Sequence, residues 1–219
     1  SGEDFTKINS DASSYATIFS DRYVSSFIFD LDGDGTSELL LGKDFNSSSK
    51  IVNFDSSSET FRLTASLPNG SFGDKTIVLD IKAGDINGDG LSDLVFLETT
   101  SAPFYGGAGI QILTQSEDMK FDDETSILIP EFNSEQHWFA FLELVDFDGD
   151  GDLDILTTQN PTHGPVAYQN DGDGNFAGIE SSFLLNGMDS YITSIDTDIG
   201  VISAFHAYDG FVTIGELVY

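Results

Sequence analysis

Short apolar runs separated by polar breaks fill this chain, and no stretch keeps a 3.6-residue period for three turns. Segments such as "YVSSFIF", "KTIVLDIKA" and "WFAFLELV" have strand length and strand patterning. Each is followed, after an acidic glycine-rich break, by a continuous apolar run: "ELLL", "DLVFL" and "DILT". Two more strand-like segments complete each unit, "KIVNF" and "TFRLTASL" in the first, "AGIQIL" and "ETSILI" in the second, "PVAYQ" and "GNFAGIESSF" in the third. Four strands per unit, repeated at about 40 to 60 residues, predict the blades of a β-propeller.

A fourth unit is legible in "DSYITSIDTDIGVISAFHAYDGFVTIGELVY", which provides three strands, while "EDFTKINSDAS" near the start offers a strand without a partner. Residues 3–11 are therefore expected to complete the last blade, either within one chain or in a neighbouring chain, because closure removes an edge open to pairing. The fold class expected is all-β, a β-propeller of about four four-stranded blades. It forms a single domain over 1–219, with 1–20 as closing strand and lead-in and blades at 21–69, 70–130, 131–186 and 187–219.

The breaks carry the chemistry. "DLDGDGTSELLLG" from Asp30, "DINGDGLSDLVFL" from Asp85 and "DFDGDGDLDILTT" from Asp146 are one motif, repeated 55 and 61 residues apart. It places oxygen-bearing side chains at positions 1, 3, 5 and 9 and glycine at 6. Calcium takes about 6 to 8 oxygen ligands, so a tight loop must turn alternate side chains inward and add a backbone carbonyl at position 7. The expected ligands are Asp30, Asp32, Asp34 and Glu38 with the Thr36 carbonyl; Asp85, Asn87, Asp89 and Asp93 with the Leu91 carbonyl; and Asp146, Asp148, Asp150 and Asp154 with the Asp152 carbonyl. Three calcium ions are expected, and a mainly structural role for them. An EF-hand would need a bidentate Glu at position 12, where this chain has Leu41, Phe96 and Thr157. Magnesium, which keeps its waters, fits a nearly complete protein cage less well.

Charge agrees with this reading. Eight Lys and Arg stand against 38 Asp and Glu, a formal charge of −30, and self-repulsion on that scale favours bound cations. The same balance excludes nucleic acid and anionic membranes as partners, since phosphate backbones are bound through Lys and Arg. With 39% hydrophobic residues and 19 Phe, the chain carries the apolar surface of a folded protein. There is no cysteine, so a metal must be held by oxygen or by His137, His163 and His206. No apolar run is long enough to cross a membrane as a helix. A start at Ser1-Gly2, without an initiator Met or a signal peptide, suggests a processed form. Weak calcium loops fill where calcium is near millimolar, which predicts secretion or the cell surface.

"GDINGDGLSDLVF", "VDFDGDGDLDILT" and the downstream "YQNDGDGNF" resemble the FG-GAP/VCBS repeats of integrin α-subunit propellers and bacterial surface proteins, over nearly the whole chain. The resemblance implies a propeller with a calcium loop between the first two strands of a blade, outside the cell, in adhesion or ligand binding. Such propellers commonly have seven blades, whereas four are counted here.

Three functions follow as expectations. The first is a non-catalytic adhesion or ligand-binding module for a protein or glycan, with Phe104, Tyr105, Trp138, His163 and Tyr168 as candidate contacts. The second is a structural subunit that binds copies of itself by strand exchange, forming a filament or coat. The third is a polysaccharide lyase or hydrolase, for which only Arg22 and Arg62 are available as substrate-binding arginines. Asp196 with Asp198, or His206 with Tyr208, would be its weak acid and base candidates. No nucleophile elbow or phosphate loop is present, and the chain is expected not to be an enzyme.

Overall fold

The computed structural model describes residues 18–117, 119–130, 141–157 and 167–179, together with the backbone of three strands at 190–197, 200–207 and 212–216. Three four-stranded antiparallel sheets follow one another along the chain, each with its strands in sequence order. The first holds β1 (Tyr23–Phe29), β2 (Glu38–Lys43), β3 (Lys50–Asp55) and β4 (Thr60–Ser66). The second holds β5 (Thr76–Gly84), β6 (Asp93–Ser101), β7 (Phe104–Glu117) and β8 (Lys120–Asp123). The third holds β9 (Leu142–Val145), β10 (Asp154–Thr157), β11 (Ala167–Asn170) and β12 (Phe176–Ile179). A further sheet shows three strands among the described residues, β13 (Ser190–Thr197), β14 (Gly200–Ala207) and β15 (Val212–Glu216).

The sheets pack face to face in chain order, and β6 shows why its sequence is an unbroken apolar run. Leu94 and Phe96 point toward the first sheet and join a cluster with Leu31, Leu40 and Ile51. Val95 and Leu97, on the opposite face of the same strand, join Leu142, Ile155 and Tyr168 of the third sheet. A strand covered on both faces has no use for alternation. All four of these β6 residues are fully buried, at 0% exposure, each worth about 1.5 to 3 kcal/mol of burial. First strands lie nearest one another: β5 runs beside both β1 and β9. The outer face of the first sheet carries a smaller cluster of Ile18, Leu41 and Val52.

One expected strand is replaced. "ETSILI" does not form the fourth strand of the second sheet; Lys120–Asp123 does, and Thr125–Leu128 is a short helix. The Asp123 carboxylate accepts both the Thr125 N–H (3.1 Å) and its hydroxyl (2.6 Å), which turns the chain out of the strand. The helical turn then buries Leu128 and Ile129 in the core and leaves Ile127 67% exposed, whereas strand alternation would pair Ile127 with Ile129. The expected closing strand at 3–11 lies outside the described residues.

Candidate metal loops

Each acidic motif connects the first and second strands of a sheet, so all three loops lie at the same end of their sheets. Their internal hydrogen bonds repeat position by position. The first carboxylate, on Asp30, Asp85 or Asp146, accepts the N–H of the glycine at position 6 at 2.9, 2.9 and 3.0 Å. Position 3, Asp32, Asn87 or Asp148, accepts the N–H of position 5 at 3.1, 3.1 and 3.2 Å. Position 5 accepts the N–H of Thr36, Leu91 or Asp152 at 2.6, 2.8 and 3.1 Å, which fixes the peptide at position 7. Glycines at positions 4 and 6 have positive φ in every loop; Gly35, Gly90 and Gly151 stand at 86°, 86° and 101°, where an L side chain is strained.

Position 9 opens the second strand and is fully buried: Glu38, Asp93 and Asp154 are each 0% exposed. One oxygen reaches back across the loop to the N–H of Leu31, Ile86 or Phe147, at 2.8, 3.2 and 3.0 Å. The other is held from the third strand of the sheet, by the Asn53 side-chain amide at 3.0 Å, the Gln115 N–H at 2.8 Å and the Asn170 N–H at 2.8 Å. Burial raises all three carboxyls, Asp93 and Asp154 to about 6, with the neighbouring loop carboxylates adding to the rise and the backbone N–H bonds opposing it. A cation among the loop oxygens would relieve that repulsion. Position 12 lies in the core, with Leu41 at 6%, Phe96 at 0% and Thr157 at 1% exposure, in keeping with the absence of an EF-hand glutamate there.

Among the described residues two acidic groups converge closely enough to hold a metal ion. Asp30, Asp32 and Glu38 form one and Asp146, Asp148 and Asp150 the other, with ligand oxygens within 4.8 Å of one another. Asp30 also has a buried oxygen, Oδ1, with no hydrogen-bond partner, which a cation in the loop would satisfy. Oxygen-only donors of this number suit a hard cation. Asp34 and Asp154 occupy their expected loop positions but fall outside the two tight groups. In the second loop, the Asn87 amide donates to Asp89 Oδ2 at 3.2 Å, and Asp85, Asp89 and Asp93 do not converge in the same way.

The other candidates separate. Phe104 (72% exposed) and Tyr105 (40%) form an edge-to-face pair, centroids 4.4 Å apart, beside the β6–β7 turn at the end of the sheet away from the acidic loops. Tyr168 is buried at 3% exposure in the core. Arg22 and Arg62 are engaged by Asp44 (3.1 Å) and Asp55 (2.6 Å). Trp138, His137, His163, Asp198 and Tyr208, and the side chains of Asp196 and His206, lie outside the described residues. Not foreseen from the sequence was the set that holds position 9 from behind, Asn53, Gln115 and Asn170. The one local signal is the Asn opening "NDGDGNF", and its partners are distant in the chain.

A family model described as an FG-GAP-like repeat matches residues 30–96 and again 85–157, so each match runs from one acidic loop into the strand after the next. No curated protein matches the chain.

Proposed function

As the chain belongs to the FG-GAP-like repeat family, we propose that it is an extracellular β-propeller, stabilised by calcium, that binds a protein or glycan ligand and performs no catalysis. The observation that carries this is the threefold recurrence of one loop, with the same hydrogen bonds at the same positions, at one end of stacked four-stranded sheets. Three calcium ions are held by the ligands named above, one per loop, and the second loop uses Asn87 in place of a carboxylate. The whole chain forms one propeller domain, with blades at 21–69, 70–130, 131–186 and 187–219. No helix among the described residues is long and apolar enough to cross a membrane.

With the cations at one end, the opposite end is the ligand surface. Phe104 and Tyr105 are its exposed aromatic element, and Tyr105 holds a φ of 53°, a conformation that a bulky residue adopts at a cost. Binding of the purified protein to arrays of glycans and of extracellular matrix proteins tests the reading. The expected result is a saturable, chelator-sensitive signal reduced at least tenfold by F104A with Y105A. Depolymerisation of an acidic polysaccharide, or binding indifferent to both treatments, would overturn it.

A second reading is favoured by the fourth sheet, whose three described strands leave β15 at an edge. On this reading residues 3–11, which lie outside the described residues, would pair with that edge, and pairing with a neighbour's edge would build a filament. Light scattering across protein concentrations separates a closed monomer from an assembling subunit.

A further inference from the structure

The turn between β11 and β12 touches two metal loops at once. Asn170, 2% exposed, donates its side-chain amide to the Ile86 carbonyl of the second loop at 2.7 Å and to the Leu153 carbonyl of the third at 3.0 Å. Its backbone N–H donates to Asp154 Oδ1 at 2.8 Å. Its own Oδ1 accepts the N–H groups of Gly172 (3.1 Å) and Gly174 (3.0 Å), so every hydrogen-bonding valence of the side chain is used.

Those bonds complete a continuous path between position 9 of one loop and position 9 of the next. Asp93 Oδ2 holds the Ile86 N–H at 3.2 Å, the Ile86 carbonyl holds Asn170, and Asn170 holds Asp154. The turn also packs against both loops. A Cβ at Gly174 would meet the Asn87 Cβ at 3.4 Å, and one at Gly172 would meet Asp152 Oδ2 at 2.6 Å. The matching place in the second sheet is taken by Gln115, which holds Asp93 through its N–H but has a buried Oε1 without a partner. Among the described residues the link is therefore made between the second and third loops and not between the first and second.

We propose that the second and third loops bind their cations cooperatively through Asn170, while the first binds independently. This rests on the calcium reading above. A cation in either loop fixes a position 9 carboxylate and seats the β11–β12 turn, so the ion that binds next meets a loop already ordered. Linkage makes the effect equal in both directions, and couplings of this kind are typically about 5- to 150-fold.

Calcium titration calorimetry on the full chain tests it. D34A disables the first loop and leaves the linked pair; D89A disables the second and leaves an unlinked pair. The second ion should bind D34A at least fivefold more tightly than independent sites allow, D89A should show independent binding, and N170S in the D34A protein should abolish the cooperativity. Comparison of D34A with D89A does not depend on how well N170S folds. Independent binding by D34A, or equal cooperativity in both variants, would overturn the coupling and leave the calcium reading intact. Absence of calcium uptake by the unaltered chain would overturn the calcium reading itself.

Discussion

The buried carboxylate of Asp93 accepts the backbone N–H of Ile86 at 3.2 Å, tying the strand after the second acidic loop to the start of that loop. Its other oxygen accepts the Gln115 N–H at 2.8 Å, so one side chain joins the loop, β6 and β7. Replacing it by alanine strands two buried N–H groups, each costing about 1 to 3 kcal/mol. D93A should therefore lose about 3 kcal/mol in urea denaturation even without calcium. D122A, at an exposed site on β8, should change stability by less than about 0.5 kcal/mol.

Adjacent residues of β6 serve different interfaces, Phe96 with the first sheet and Leu97 with the third. F96A should cost about 3 to 5 kcal/mol and L97A about 2 to 5 kcal/mol, because each opens a cavity in a separate core. Chemical denaturation of the two variants measures both. A near-neutral result for either would mean that its interface is not packed in solution.

That interface pair also shows what could be read from the sequence. "DLVFL" was legible as a buried strand because both of its faces are apolar, and the loops were legible because metal ligands must recur at fixed spacing. The helical turn at 125–128 was not, since "ETSILI" has strand composition and the signal that diverts it, the Asp123 carboxylate taking the Thr125 N–H and hydroxyl two residues on, lies just upstream of that segment. Nor was Asn170 legible as a bridge: it contacts Ile86 from 84 positions away.

Glu98 sits fully buried on β6, remote from the acidic loops in its strand, with one oxygen accepting the Ser71 N–H at 2.8 Å and the other unpartnered. Burial pushes its carboxyl up from 4.5 to about 7, with Asp123 adding to the rise and the Ser71 bonds and Lys43 opposing it. Between those two values the folded protein holds a proton that the unfolded chain has released. Folding then takes up a proton, and this contribution to stability falls as pH rises from about 4.5 to 7. E98Q should remove that part of the pH dependence and gain on the unaltered protein as pH rises. Melting temperatures of both proteins from pH 5 to 8 measure it, and parallel curves would refute it.

At the position 6 glycines, Gly35, Gly90 and Gly151, a Cβ would find no heavy atom within 4 Å, so substitution there is limited by backbone conformation alone. Alanine at any of the three should cost about 1 kcal/mol, and asparagine, which tolerates positive φ, less. Thermal melts of the G35A and G35N pair read the difference directly.

Thermal unfolding of the full chain in excess calcium and in excess chelator decides whether the acidic loops hold calcium and whether calcium holds the stacked sheets. With calcium at about ten times the dissociation constant, each loop adds about 1.4 kcal/mol and three add about 4 kcal/mol. The melting temperature should rise with calcium over the whole titration and fall by several degrees or more with chelator. A melting temperature unchanged between the two conditions would contradict it.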